Sequence, residues 1–376
     1  MSSASQPELI LKRISKKALS AKTTVISQPK IREYIEYVCG CTSNRSGVRL
    51  LMSCLLAKLD RPEVDPRQPY TEIGGNKSFS GRTYDERYLT KFITENRLPV
   101  NATTAYLTPT LRNIDRPLST KIELVGRPKD MYLKAILVLD AVATGAVEAE
   151  SALVETVRLM FKMRDENLAR MTSLIGSLKR TEGALPLSSE AIVNLIGQHL
   201  ACRNSSRLPV LIVAAAYETV GSCLKERILT LNPHNAADSQ TGSMGDVEIC
   251  IIGEDSVVTS YEMKMKLVTF NDIDVAVSKI RTSSSKINNY IFITTEPIDP
   301  IVAEYAASFY EKTDGTEIVI LDCIGFLRHF LHLFHRLRTE YLNAYQRHVV
   351  AEPDSAVSQS LKEAFLALRH VAESNE

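Results

Sequence analysis

Residues 244–266, MGDVEICIIGEDSVVTSYEMKMK, constrain the fold more than any other part of the chain. Two runs rich in β-branched residues, VEICII and VVTSYEMKMK, flank residues 253–256, whose composition supplies a turn, so the segment reads as a β-hairpin. With the strand period of two, Glu262, Lys264 and Lys266 fall on one face and Tyr261, Met263 and Met265 on the other. Asp246 stands at the mouth of the first run, and Glu248 follows it on the same strand face. Two carboxylates beside a lysine suit phosphodiester hydrolysis. Asp246 and Glu262 are candidate ligands of a hard divalent cation, which takes oxygen donors and leaves room for water and a scissile phosphate. Lys264 then has two candidate jobs: orienting and helping to deprotonate the attacking water, or offsetting charge on the phosphorus oxygens.

The surrounding pattern predicts a sheet for this hairpin to join. Upstream, VLIVAAAYETVGSCL has helical periodicity, with Pro209 placed to begin it and one acid, Glu218, on an otherwise apolar helix. The loop LNPHNAADSQTGSMG delivers Asp246, and His234, Asn235 and Asp238 lie near the site in sequence. Downstream, NDIDVAVSKI suits a helix, NNYIFITT a strand, DPIVAEYAASFYEKT a helix and TEIVILD a strand. That alternation predicts an α/β fold, a mixed β-sheet flanked by helices. Lys279, Arg281 and Lys286 either line a DNA cleft or form a solvated helix end.

Residues 8–60 repeat apolar positions at helical spacing, and a basic cluster there (Lys12, Arg13, Lys16, Lys17) suits a solvated helix face or a phosphate contact. From residue 61 to 128 prolines, glycines and threonines rise, predicting long loops. Between residues 74 and 134 eleven Lys or Arg stand against six Asp or Glu. Lys77, Arg82, Arg87, Asn101, Arg112 and Asn113 are therefore candidate DNA-binding residues, able to meet phosphates and base edges; the alternative is a loop-rich lid that satisfies its own backbone. Residues 135–178 read as one helical scaffold, and residues 323–350 as one long amphipathic helix before a linker and a final helix. His329, His332 and His335 recur every three residues there, a spacing that drifts around a helix and gathers no zinc site. The domain boundaries follow: 1–185 for a candidate DNA-recognition region, 186–350 for the catalytic core, 351–376 for the linker and last helix.

The balance of 45 Lys and Arg against 44 Asp and Glu means that any nucleic-acid surface must arise from local segregation of charge. Seven scattered cysteines read as reduced intracellular thiols. No apolar run approaches the ~20 residues of a membrane span and residues 1–8 are polar, so a cytoplasmic location without membrane contact is expected.

Asp246 and the Glu262-Met263-Lys264 triplet resemble the PD-(D/E)xK nuclease motif, with Gly245 in place of the usual proline. Together with YTEIGGNKSFSGRTYDERYL, LPVNATTAYLTPTLRN and SRLPVLIVAAAYE, they make the chain resemble type II restriction endonucleases, most nearly the SacI-like group, over most of residues 60–330. The resemblance implies a restriction-endonuclease-like αβββαβ core with a largely helical N-terminal region. It implies Mg²⁺ at Asp246 and Glu262, with Glu218 completing or orienting the ligand shell. It further implies a homodimer cutting double-stranded DNA at a palindromic six-base-pair site, GAGCTC or a relative, with a cognate DNA methyltransferase in the same system. Two other readings stay open: a PD-(D/E)xK nuclease acting in repair or on methylated DNA, and a non-catalytic DNA-binding protein on the same fold.

Overall fold

A computed structural model describes residues 5–101, 104–122, 124–178, 185–231, 243–283 and 286–374. The chain forms two compact units, Met1–Arg170 and Met171–Glu376. His234, Asn235 and Asp238 lie outside the described residues.

The first unit is helical. Its helices α1 (Gln6–Ser20), α2 (Pro29–Gly40) and α3 (Ser46–Asp60) follow the periodic runs of the sequence. Ser5 and Glu8 close a reciprocal capping box on α1, and Pro29 opens α2, where a missing amide hydrogen costs nothing. Helix α1 turns Ile10, Leu11, Ile14 and Ala18 inward, whereas α3 is buried from Ser46 to Ala57 and forms the centre of the unit.

The region expected to be long loops holds more helix than its composition suggests. Helix α4 (Gly81–Thr83) passes through a π-helical segment, Tyr84–Leu89, into α5 (Thr90–Glu95). The single helix expected over residues 135–178 is two, α6 (Lys129–Ala143) and α7 (Ala149–Leu178). Gly145 makes the break. It adopts φ +77°, and the amides of Gly145 and Ala146 return to the carbonyls of Val142 and Ala141, the paired bonds of a glycine-terminated helix.

A buried ion pair ties these pieces together. Arg49 of α3 donates Nε to Asp85 Oδ1 (2.7 Å), Nη1 to the Asn101 carbonyl (2.8 Å) and Nη2 to Thr90 Oγ1 (2.7 Å). Asp85 Oδ2 accepts the Ala105 amide at 2.7 Å. Neither side chain exceeds 1% exposure. The ion pair thus joins the central helix, the π segment and the chain on either side of residues 102–103, Arg49 holding Asn101 and Asp85 holding Ala105.

The second unit carries a five-stranded sheet in the order β1-β2-β3-β4-β5: β1 (Glu226–Ile228), β2 (Val247–Ile251), β3 (Val257–Lys264), β4 (Asn289–Thr294) and β5 (Glu317–Asp322). The first three strands pair antiparallel and the last three parallel, so the sheet is mixed. Strand alternation divides it. Val247, Ile249, Tyr261 and Ile293 face one core with α8 (Ser189–Leu200) and α9 (Leu208–Leu224). Tyr290, Phe292, Ile318 and Ile320 face the other with α10 (Phe270–Thr282) and α11 (Pro300–Ala307).

The long helix expected from residue 323 breaks at Phe334 (φ −107°, ψ 40°). It becomes α12 (Cys323–Leu333), a 3-10 turn at His335–Leu337 and α13 (Arg338–Ala351). The last helix, α14 (Gln359–Ser374), contributes Leu361, Phe365 and Leu366 to the core of this unit. His199 of α8 fastens it there: its ring nitrogens meet Tyr345 Oη (2.9 Å) and the Leu361 carbonyl (3.0 Å), and burial pushes its pKa down to about 4. No helix among the described residues is long and apolar enough to cross a membrane.

The Arg49 network yields a stability prediction. Asp85→Ala leaves the guanidinium buried without its counter-charge, a change that costs about 3–5 kcal/mol. Urea denaturation of the variant should show a loss of that size; a loss below about 1 kcal/mol, the range of exposed pairs, would remove the pair from its central role.

Candidate active site

The site is built by a close approach of two strands. The paired register of β2 and β3 runs to Val247 opposite Tyr261. Just before it the backbone at Gly245 lies so near β3 that an added Cβ would stand 2.5 Å from the Tyr261 carbonyl oxygen and 2.6 Å from Ser260 Oγ. No side chain fits, which gives a physical reason for glycine at this position. Asp246 follows directly, and its Oδ2 accepts the Met263 amide at 2.8 Å. The first acid is thereby fastened to the strand that carries the second.

On β3 the alternation runs as the sequence predicts. Tyr261 and Met263 enter the core shared with α9, leaving Glu262 and Lys264 on the opposite face of the sheet, the face that carries α10. Lys264 Nζ lies 3.3 Å from Glu262 Oε1 and 3.1 Å from Asp272 Oδ1 of α10. Glu262 Oε2 meets Lys279 Nζ of α10 at 3.6 Å and accepts the Tyr290 hydroxyl of β4 at 3.3 Å. Lys279 and Tyr290 both also donate to the Met244 carbonyl, at 3.2 and 3.1 Å, so the residues leading into Asp246 are held by the same two side chains that hold Glu262.

Asp272 has two tasks. It forms the capping box of α10, with Thr269 N and Oγ1 donating to Oδ2 at 2.9 and 2.7 Å, while Oδ1 faces Lys264. Burial opposes its charge, but the bonds from Thr269 and Lys264 outweigh burial and lower its pKa. Burial likewise works against the Lys264 ammonium, and the charge of Glu262 with the bond from Asp272 overcomes it and raises the lysine pKa. Lys264 is a firmly protonated cation.

Asp272 and Tyr290 escape the sequence reading because their roles depend on contacts between elements. The local signal for Asp272 is Thr269 three residues earlier, the spacing of a cap. Lys279, expected from the sequence either to line a DNA cleft or to sit on a solvated helix end, is seated on Glu262. Glu248 lies on the same side of the sheet, but its Oε1 accepts the Met244 amide at 2.7 Å and so braces the turn into Asp246.

Glu218 is placed differently from Asp246, Glu262 and Lys264. Its side chain is 38% exposed and its carboxylate is held by α13, 2.6 Å from Arg347 and 2.7 Å from His348. The candidate DNA residues all lie in the first unit. Lys77 and Arg87 are exposed, Arg87 lying 5.6 Å over the Tyr88 ring, and Asn101 gives its carbonyl to Arg49. Arg82 pairs with Glu86 at 2.6 Å, while Arg82, Arg112 and Asn113 line one cleft.

Asp246, on the bend that leads into β2, and Glu262 of β3 are hard oxygen donors, and the Glu262 side chain is only 17% exposed. Magnesium is commonly bound through one or two carboxylates with water and substrate phosphate completing the shell, so the donor set fits it. Among the described residues no three His, Cys, Asp or Glu side chains form a cage for an ion. The pair therefore suits a cation that keeps water and phosphate as ligands. No family model matches the chain, and no curated protein matches it.

Two predictions follow from this geometry. Gly245→Ala forces β2 and β3 apart where Asp246 is anchored, an overpacking cost of about 1–3 kcal/mol that equilibrium denaturation will read. Asp272 has a lowered folded pKa, so its stabilisation is present above its ordinary value of 3.8 and is lost as pH falls through the folded value. The stability deficit of Asp272→Asn, measured against the parent protein by denaturation across pH, should therefore shrink in acid below 3.8. A deficit independent of pH would show that the carboxylate charge is not what binds α10 to β3.

Proposed function

We propose that the chain is a Mg²⁺-dependent endonuclease of the type II restriction kind, hydrolysing phosphodiesters of double-stranded DNA to leave 5′ phosphates. The observation that carries this reading is the bond from the Met263 amide to Asp246, which sets the first acid beside the paired Glu262 and Lys264 of β3. The chain order α9, β1, β2, β3, α10, β4 agrees with the αβββαβ order implied by the resemblance and supports the same reading. On this reading the protein works in the cytoplasm as a homodimer on a palindromic site, and a cognate methyltransferase protects the host's own DNA.

When bound, a divalent cation polarises the phosphate and lowers the pKa of water at the site. Asp246 and Glu262 would hold it. Asp246 is fixed by the Met263 amide, and Glu262 is aimed by the Tyr290 hydroxyl and the Lys279 ammonium. Lys264, an ammonium paired with Glu262 and Asp272, would serve the scissile phosphate as a charge partner. Of its two candidate jobs, electrostatic stabilisation is the one its surroundings favour.

Purified protein should cut unmethylated plasmid in the presence of magnesium. Lys264→Ala should slow cutting by about 10²–10³-fold and leave duplex binding, read by gel shift, intact. Cutting by the variant at the parent rate would falsify the assignment of Lys264.

A further inference from the structure

The sheet of the second unit ends in an open edge. Among the described residues β5 pairs with β4 alone, in unbroken parallel register from Glu317 to Asp322. The Glu317 amide donates to the Asn288 carbonyl at 2.8 Å, so Glu317, Val319 and Leu321 turn their backbone groups toward β4. Ile318 and Ile320 therefore aim their amides and carbonyls away from the sheet, where no described residue meets them. Proteins usually blunt such an edge with a lysine, a proline or a bulge. Strand β5, EIVILD, has none of the three.

Beside that edge runs a groove of about 440 Å³ between β5 and α11. Four consecutive residues, Glu317 to Ile320, line it, so it follows the strand edge and does not lie over one face of the sheet. The far wall is formed by Ala303 and Ala307, one helical turn apart, with the exposed Tyr310 beyond them. An extended chain suits this shape: it could bond Ile318 and Ile320 through its backbone and place alternate side chains against the two alanines. Charge restricts which chain. Over residues 300–322 five exposed acids, Glu304, Glu311, Asp314, Glu317 and Asp322, stand against one cation, Lys312. Lys312 lies 4.9 Å over the Phe309 ring, and neither Glu304 nor Glu317 is paired with a cation among the described residues. A second copy of β5 would bring the same acids to the same groove, whereas a basic segment would offset them.

We infer that the β5 edge is a docking site for an extended polypeptide segment in which basic and apolar residues alternate. The segment joins the sheet as an added strand on Ile318 and Ile320, its apolar side chains turned to Ala303 and Ala307 and its basic ones to the face that carries Glu317. The site is separate from Asp246, Glu262 and Lys264, and its occupant is a protein partner, not the nucleic acid.

The probe is an end-blocked octapeptide of alternating lysine and valine, titrated calorimetrically into the full chain. It should bind saturably. A glutamate–valine peptide should not, and the lysine–valine peptide N-methylated along its backbone, which keeps the charge but loses the donors, should bind about tenfold more weakly. Glu317→Gln should weaken the parent peptide by up to about fivefold, the factor of one exposed ion pair. Ala307→Arg should abolish binding by filling the groove with a cation; Ala307 is exposed and arginine is a good helix former, so the melting temperature should hold. Amide hydrogen exchange resolved by residue gives the position: the peptide should slow exchange at Ile318 and Ile320 and leave Val319 and Leu321, already bonded to β4, unchanged. No saturable binding, equal binding of the N-methylated peptide, or unaltered exchange at Ile318 and Ile320 overturns the site. Slowed exchange at those two amides on raising the protein concentration alone would show a second copy on the edge and overturn the basic partner. None of these measurements uses magnesium or DNA, so they stand or fall apart from the nuclease reading.

Discussion

The register between β2 and β3 is the constraint on which the second unit depends. Side chains alternate along a strand, so a slip of one residue would send Glu262 and Lys264 into the core with α9 and bring Tyr261 and Met263 out. Three features hold the register. Val247 and Ile249 must be buried, Gly245 permits a backbone approach that any Cβ would block, and Asp246 closes on the Met263 amide. The last two belong to adjacent residues. The fold and the chemistry therefore share one fastening, and Asp246 cannot be moved without loosening the strand that presents Glu262.

In the first unit Arg49 has the corresponding part. Residues 61–128 are rich in turn formers, yet they carry Val64, Phe79, Leu89, Phe92 and Leu111 into the core of this unit. They do so because a buried guanidinium accounts for backbone and side-chain acceptors on three separate segments. A hydrophobic residue at position 49 could fill the volume but could not bond the Asn101 carbonyl, and Asp85 would lose both its counter-charge and the organiser of its surroundings.

Elements governed by local pattern were legible in the sequence. The hairpin, α9 with Pro209, the alternation to β5 and the inward and outward faces of β3 all follow from a period of two or 3.6 with turn and cap residues between. Strand β1 was not legible, since Glu226–Ile228 is three residues long and has no alternation to display. The two helix breaks were hidden for a related reason: apolar spacing continues across Gly145 and Phe334, and only the backbone angles reveal the interruption. Asp246, Glu262 and Lys264 could be singled out as candidates because two acids and a lysine stand within one short strand-like segment. Asp272, Tyr290 and the true seat of Lys279 depend on how α10 and β4 pack on β3, and no local pattern encodes that.

Those unheralded residues decide the electrostatics. Asp246, Glu262 and Asp272 carry three negative charges and Lys264 and Lys279 two positive ones, a local balance of −1 before any substrate arrives. Both ammonium groups are already within 4 Å of carboxylates, so neither is a spare charge for an incoming phosphodiester. At 4 Å, like charges with an effective dielectric constant of about 20 repel by roughly 4 kcal/mol, which would keep the phosphate away from Glu262. On the proposed reading a divalent cation held by Asp246 and Glu262 would reverse that sign and leave Lys264 to the substrate. On the proposed reading, the ion pairs of the free protein hold the lysines where they are needed and close the site to phosphate until a cation is present.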